Sequence, residues 1–176
     1  MRIDIVDFFL DPHQCRDLIS QFSDIRFNTW NPYERDVYKN GDLDVNIRVG
    51  MTSELAEYQR EWLDEKILNV SQDVTKQKLK ILRAYVNAFR DSDVCLPHYD
   101  YNHTTALIYL NYDYDVAYGG ETKFYKDDEL YAAVSPKPGR LVMFDGNILH
   151  APTPFNRLYT KDFRYTIAYK LGENDG

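Results

Sequence analysis

Cysteine is scarce in this 176-residue sequence, which contains only Cys15 and Cys95. The two residues lie far apart and form no CxxC or Cys/His pattern, which excludes a disulfide framework and a zinc knuckle. We therefore expect each cysteine to be a buried thiol that packs as a small hydrophobic side chain.

Long hydrophobic runs are also missing. No apolar stretch approaches the roughly 20 residues of a membrane-spanning helix. Asp4 and Asp7 interrupt the apolar N-terminal stretch Met1–Leu10, so this stretch does not resemble a secretory signal. We expect a cytoplasmic protein without a membrane partner.

Positive charge is in deficit, since 21 Lys and Arg residues oppose 28 Asp and Glu residues and give a net charge of −7. Nucleic-acid affinity rests largely on phosphate neutralisation by Lys and Arg, so DNA and RNA are not expected partners. We interpret the one basic cluster as a solvated strand face or edge; it consists of Lys76, Lys78, Lys80 and Arg83.

Internal repeats, low-complexity segments and linkers are absent too, and the length fits a single domain over residues 1–176. Ile3–Phe9 is predicted to be a short strand. Asp11 and Pro12 are typical of a helix start, and apolar residues then recur at helical spacing: Cys15, Leu18, Ile19 and Phe22. A second helix is predicted to start at a Ser53 cap, with an apolar face made of Leu55, Tyr58, Trp62, Ile67 and Val70.

The segment Asn28–Gly50, between the two predicted helices, is rich in Asn, Asp, Tyr and Gly. It also contains the aromatic residues Trp30, Tyr33 and Tyr38. Long loops in compact domains are often functional lids. Two interpretations stay open: a lid that packs its aromatic residues against a substrate, and a plain connecting hairpin.

From Leu79 onward the pattern changes to short β runs separated by turn signals. The predicted strands are Leu79–Phe89, Thr104–Asn111, Glu121–Tyr125, Leu130–Val134, Arg140–Phe144 and Arg164–Lys170. Two helices followed by many short antiparallel strands predict an α+β, mainly β domain with a sandwich or barrel of jelly-roll type.

The motif His98-Tyr99-Asp100 contains two potential metal ligands at positions i and i+2. On a strand such residues point to the same face, so an imidazole and a carboxylate are expected to converge. His150 follows an apolar strand and a turn and is the candidate third ligand. Two His and one carboxylate are the ligand set of non-haem Fe(II) oxygenases. His103 is a weaker rival, because strand geometry gives it no reason to share the face of Asp100.

Three protein ligands leave metal positions open for a chelating 2-oxo acid and for O₂. The distal carboxylate of 2-oxoglutarate then needs a cation of its own. Arg164 can supply it, because this residue begins a predicted strand on which Arg164, Thr166 and Ala168 share a face, and a guanidinium can bind a carboxylate through two parallel hydrogen bonds. Arg157 is the competing anchor, but it lies in a predicted loop.

These motifs resemble those of the prolyl 4-hydroxylase branch of the 2-oxoglutarate/Fe(II) oxygenase superfamily, from about residue 79 to residue 170. The resemblance runs through His98–Tyr101, Ile108–Asn111, Gly119–Phe124, Pro136–Phe144 and Arg164–Thr166. Gly119–Phe124 matches the family's GGETxF turn closely. The sequence departs from collagen-type members in having Arg rather than Lys at the anchor, and in the acidic stretch Arg90–Val94 where a glycine-bearing turn is usual.

The resemblance implies a double-stranded β-helix (jelly-roll, cupin-like) core over about 79–171, with the N-terminal helices packed on one sheet. It implies Fe(II), 2-oxoglutarate and O₂ as cofactors, with ascorbate as a further candidate. His98, Asp100 and His150 would bind iron, and Arg164 would bind the cosubstrate, with Tyr85, Tyr109 and Thr166 beside it. The implied reaction is hydroxylation of a C–H bond with release of succinate and CO₂.

For the substrate, peptidyl proline is the first candidate that the resemblance implies. A free amino acid or small metabolite is the alternative, and a non-catalytic β-barrel that serves as a binding module is a third possibility. Retention of all three candidate ligands and of Arg164 argues against the third. The sequence leaves the oligomeric state open.

Overall fold

The structure is a computed structural model that describes residues 1–22, 25–27, 50–93 and 96–174. Within these ranges, two α-helices and nine β-strands follow one another. They are β1 (Ile3–Val6), α1 (Pro12–Gln21), β2 (Met51–Glu54), α2 (Glu61–Thr75), β3 (Leu79–Phe89), β4 (Thr104–Tyr109), β5 (Thr122–Lys126), β6 (Glu129–Val134), β7 (Leu141–Asp145), β8 (His150–Pro152) and β9 (Arg164–Glu173). Single 3₁₀ turns occur at Glu57–Gln59 and Val116–Tyr118.

The strands form two antiparallel sheets. The larger sheet has the order β1-β7-β4-β9-β3-β2, and the smaller one has the order β6-β5-β8. Neighbours in space are distant in sequence, as when β9 lies between β4 and β3. This mainly β arrangement with two helices is the jelly roll that the strand pattern predicts.

Both helices pack on one face of the larger sheet. Helix α1 begins as predicted, since Asp11 Oδ1 accepts hydrogen bonds from the backbone N–H groups of His13 and Gln14, and Pro12 occupies the first turn. Cys15 of this helix is fully buried, which confirms the expected role of its thiol. The core beneath the helices combines helix and sheet residues, including Leu18, Leu63, Ile67, Val86, Ile108, Ile167 and Tyr169.

The start predicted for the second helix is wrong. Ser53 lies on strand β2, paired with Val86, and its hydroxyl donates to the backbone carbonyl of Arg26. Helix α2 begins only at Glu61, so Leu55 and Tyr58 precede it and Trp62 is 43% exposed. A Ser before a run of Glu, Leu and Ala satisfies a local capping pattern, but pairing with β3 overrides it.

The predicted strands are confirmed, with bounds that differ by a few residues, and β2 and β8 are strands that were not predicted. Strand β3 pairs with β9 over almost the full length of both. Side chains alternate across a sheet, so β9 presents Ile167 and Tyr169 to the helices and Thr166 and Ala168 to the opposite face.

That opposite face forms the inside of the barrel, where a second, smaller core surrounds a pocket. Within the described ranges, no helix is long and apolar enough to cross a membrane. The predicted lid lies outside the described residues except for Gly50, as does Cys95.

Candidate metal and cosubstrate site

His98, Asp100 and His150 meet inside the barrel. One potential ligand atom from each lies within 4.8 Å of the others, and this is the one such group of three found among the described residues. His98 Nε2 is 3.9 Å from Asp100 Oδ1, and His150 Nε2 is 3.5 Å from Asp100 Oδ2. The side chains that the spacing predicts to converge therefore do so.

The route by which they converge differs from the prediction, because His98 and Asp100 do not lie on a regular strand. His98 forms an isolated bridge with His150, in which each backbone N–H donates to the carbonyl of the other, at 2.9 and 3.0 Å. The backbone N–H of Asp100 donates to Gly146 O at 2.8 Å. The turn that follows has positive φ at Tyr101 and Asn102. Long-range backbone pairing, rather than strand alternation, places this pair.

Gly146 allows this turn to lie close to the β7–β8 connection. A Cβ at this position would lie 2.8 Å from His103 O and 3.1 Å from Asp100 Cβ. Its carbonyl accepts hydrogen bonds from both Asp100 and Tyr101, and its N–H donates to His103. The glycine therefore acts as the backbone support of the carboxylate.

Both imidazoles are oriented in the same way. His98 Nδ1 is 3.0 Å from Leu96 O, and His150 Nδ1 is 2.9 Å from Ile148 O. A carbonyl oxygen can only accept a hydrogen bond, so each Nδ1 carries the donating N–H and each Nε2 presents its lone pair to the centre of the site. Burial lowers the pKa of His150 to about 4, so this ring is neutral at pH 7.

Asp100 is nearly buried and has two other polar partners. Thr105 Oγ1 donates to Asp100 Oδ2 at 2.5 Å, and the ammonium of Lys170 forms an ion pair with the same oxygen. Burial opposes ionisation of the carboxyl, but Lys170 together with the two neighbouring imidazoles outweighs it and holds the pKa of Asp100 below its usual range. Asp100 is therefore a carboxylate at neutral pH and can act as a ligand.

Lys170 is a site residue that was not predicted. The residue ends the predicted strand Arg164–Lys170, and the alternation that groups Arg164 with Thr166 and Ala168 extends to Lys170 by one further step. All four line the same pocket. Thr105 gave no comparable signal, since only the tertiary structure places it beside Asp100.

Arg164 lies farther along the same pocket and is 1% exposed. Its Nε donates to Gly120 O at 2.7 Å and its Nη2 donates to Thr122 Oγ1 at 3.0 Å. Gly120 has φ 85°, and a Cβ there would lie 2.4 Å from the Phe155 ring, so only glycine fits this turn. The Gly119-Gly120 turn thus provides the carbonyl that orients the guanidinium.

The other predicted cosubstrate residues surround Arg164. Thr166 is fully buried and lines the pocket, and its Oγ1 has no hydrogen-bond partner within the described parts of the chain. Tyr109 is fully buried, its ring centroid is 5.3 Å from the Arg164 guanidinium carbon, and its hydroxyl donates to Thr122 Oγ1 at 2.6 Å. Burial raises the pKa of Tyr109, so its hydroxyl stays protonated.

Tyr85 lines the pocket at the Lys170 end, with the ammonium 5.7 Å from its ring centroid. The rival residues lie elsewhere. Arg157 has a side chain that is 78% exposed and lies 3.8 Å from Asp91 Oδ2, beside a separate surface depression. His103 does not belong to the ligand group.

The segment that contains most of the pocket residues also matches a known family. Residues 84–169 match the family model described as the 2OG-Fe(II) oxygenase superfamily. Over this segment the chain is similar to the 2OG-Fe(II) oxygenase superfamily. No curated protein sequence gives a significant match.

Solved structures show the same oxygenase fold at low sequence identity. A prolyl hydroxylase from Trichoplax adhaerens, in complex with a hypoxia inducible factor peptide, is 20% identical with a TM-score of 0.67; the match covers 97% of this chain and 83% of that one. HygX from Streptomyces hygroscopicus, with nickel and 2-oxoglutarate bound, is 12% identical with a TM-score of 0.71, covering 98% and 83%. A Pseudomonas putida prolyl-4-hydroxylase is 16% identical with a TM-score of 0.65, covering 98% and 92%.

The residues of the pocket fit the groups that the superfamily implies. Two imidazole nitrogens and one carboxylate suit Fe(II) and leave further positions open. At the far end of the pocket, a buried guanidinium and the hydroxyl of Thr166, which has no hydrogen-bond partner among the described residues, suit the distal carboxylate of a keto diacid.

Proposed function

We propose that this protein is an Fe(II)- and 2-oxoglutarate-dependent dioxygenase that hydroxylates a C–H bond and releases succinate and CO₂. The observation that carries the proposal is the convergence of His98, Asp100 and His150 in a pocket that also contains the buried Arg164. A cupin hydrolase or isomerase would share the metal ligands but would not need a buried cation for a second carboxylate.

In this proposal His98, Asp100 and His150 hold the metal, which supplies the oxidation of the C–H bond when it is bound with O₂ and cosubstrate. The hydrogen bonds from Nδ1 of both imidazoles to backbone carbonyls orient their Nε2 atoms toward the metal position. Phe144 packs edge-on against His150, with ring centroids 4.6 Å apart, and limits rotation of the ligand.

Arg164 binds the distal carboxylate of 2-oxoglutarate, and Thr166 adds a hydroxyl donor beside it. Tyr109 acts through Thr122, because its hydroxyl donates to the same Oγ1 that accepts from Arg164. This network fixes the guanidinium before the ligand arrives, so little orientation is lost on binding.

A peptidyl proline is the substrate that we propose first. The GGETxF turn at Gly119–Phe124 supports it, as do the prolyl hydroxylases among the structures with this fold. A free amino acid or small metabolite is the alternative, supported by the likeness to HygX in complex with hygromycin B and to the epimerase SnoN from nogalamycin biosynthesis.

The reaction class is tested by measuring succinate formation from 2-oxoglutarate with Fe(II) and O₂. We expect turnover by the native chain, and we expect its loss in His98→Ala and Asp100→Ala variants that remain folded. His103→Ala is the matched control, since this histidine lies five residues along but outside the ligand group. Unchanged turnover in either ligand variant would refute the assignment.

The substrate class is tested by incubating the Fe(II)-loaded protein with 2-oxoglutarate and either proline-containing peptides or free amino acids. A mass gain of one oxygen in peptides alone supports a peptidyl substrate. Oxidation of free amino acids alone supports the alternative.

A further inference from the structure

Lys170 is a buried cation within the proposed metal site. It lies on strand β9, its side chain is 9% exposed, and its ammonium forms an ion pair with Asp100 Oδ2. Lysine is rarely buried unless it is paired. Its position therefore requires an explanation that the proposed catalytic residues do not provide.

Neighbouring side chains already use most of the hydrogen-bonding capacity of Lys170. An ammonium has three N–H donors. Asp100 accepts one and Thr105 Oγ1 accepts another at 3.2 Å, while the centroid of the Tyr85 ring lies 5.7 Å from the ammonium. Two of the three donors of Lys170 therefore bind groups of the protein itself.

The same neighbours constrain the carboxylate of Asp100. Its Oδ2 atom receives the ammonium of Lys170 and the hydroxyl of Thr105, while Oδ1 faces His98 Nε2 at 3.9 Å. A carboxylate that is taken out of water costs several kcal/mol unless it is paired, and the ion pair offsets that cost before any metal is present.

We propose that Lys170 is the resident counter-ion of Asp100: it keeps the ligand carboxylate paired and oriented in the metal-free protein, and its charge weakens divalent-cation binding. The inference rests on the proposed metal site. In this role Lys170 is a positioning residue, because it acts through Asp100 and not on the reacting atoms.

Removing the Lys170 charge should have two effects of opposite sign. The metal-free protein should lose stability, because Asp100 is left as a buried carboxylate without its cation. Divalent cations should bind more tightly, because a positive charge next to the metal position is gone. A merely structural lysine would predict the opposite for the metal, since a loosened site would bind it less well.

The test uses the full chain with Lys170→Met, which keeps the length of the side chain and removes its charge. Lys80→Met is the matched control, since Lys80 is exposed on the neighbouring strand β3. Co(II) is the probe, because it binds such donor sets. Affinity is measured by calorimetry, and thermal unfolding is followed in EDTA and in saturating Co(II).

We expect Lys170→Met to unfold at a lower temperature than the native chain in EDTA and to bind Co(II) more tightly, on the order of tenfold. Co(II) should accordingly raise the unfolding temperature more in Lys170→Met than in Lys80→Met. Equal or weaker Co(II) binding by Lys170→Met would overturn the role of Lys170. If the native chain itself bound no Co(II), the metal site and the proposed function would fail instead.

Should Lys170→Met not fold in EDTA, Lys170→Gln, which keeps a donor for the neighbouring hydroxyls, gives the same comparison. Folding of these variants only when Co(II) is supplied would support the proposal, since the cation then takes over the pairing of Asp100. Failure of both variants to fold with Co(II) present would overturn it.

Discussion

Replacement of Arg164 by Met isolates what the buried guanidinium contributes to 2-oxoglutarate binding. Arg164 is 1% exposed and donates to Gly120 O and Thr122 Oγ1, so the protein orients it independently of any ligand. The proposed metal ligands lie on other elements, and a monoacid such as 2-oxobutanoate can chelate a metal without needing Arg164. The ratio of the affinities for the two oxo acids therefore reports on the guanidinium alone.

The size of the effect follows from burial. A carboxylate left in this pocket without its cation costs about 3 kcal/mol or more, which is on the order of a hundredfold in affinity. The native chain should prefer 2-oxoglutarate over 2-oxobutanoate by about that factor, and Arg164→Met should bind the two with similar affinity. Met also leaves Gly120 O and Thr122 Oγ1 short of a donor, which costs about 1–3 kcal/mol of folding stability.

Calorimetry of Co(II)-loaded protein in the absence of O₂ measures both affinities directly, and urea unfolding establishes that the variant is folded. Arg157→Met is the matched control, because the Arg157 side chain is 78% exposed and lies near Asp91. A native-like preference in Arg164→Met would refute the reasoning. If Arg157→Met instead lost the preference for 2-oxoglutarate, Arg157 would be the residue that binds the distal carboxylate.

Three further predictions concern other parts of the molecule. Gly146→Ala should weaken Co(II) binding roughly tenfold, because the added Cβ would lie 3.1 Å from Asp100 Cβ; unchanged calorimetric affinity would contradict this. The pKa of His150 in the folded protein, about 4, lies below its ordinary value of 6.5. Between these two pH values the unfolded chain therefore binds a proton at His150 that the folded protein does not bind. The metal-free protein should accordingly lose about 3 kcal/mol of unfolding free energy between pH 6.5 and 4. Urea titrations should show a flatter pH dependence for His150→Gln. Cys15 is fully buried, and burial raises its pKa to about 11, so in a Cys95→Ser variant iodoacetamide at neutral pH should label it only after denaturation.

Strand β9 shows how much of the site could be predicted from local sequence. Its alternation places Arg164, Thr166 and Ala168 on one face, as the spacing predicts, because pairing with both β3 and β4 leaves the strand no freedom to rotate. Helix α1 was equally predictable, since Asp11 and Pro12 act through contacts within a single turn. In both cases the deciding interactions are local or follow from a strict period.

The position of Asp100 could not be derived in that way. Its backbone is held by Gly146 and its side chain by Lys170, both distant in sequence, and by Thr105, five residues away. The spacing His-x-Asp correctly predicted that the two side chains converge, but it did so by assuming a regular strand, and His98 and Asp100 lie outside the named strands. The start predicted for α2 was wrong for a related reason. Ser53 fits a helix cap locally, but it lies on β2, the edge strand of the larger sheet, and pairs with β3.

Strand β9 also explains why each end of the pocket contains a basic side chain. Arg164 and Lys170 are separated by an even number of residues, so their side chains enter the barrel from the same face. Lys170 forms an ion pair with Asp100, whereas the Gly120 carbonyl and the Thr122 hydroxyl orient Arg164 through hydrogen bonds. One strand therefore places an ion pair beside the proposed metal ligands and an oriented guanidinium at the far end of the pocket, which is the arrangement that the proposed binding of 2-oxoglutarate requires.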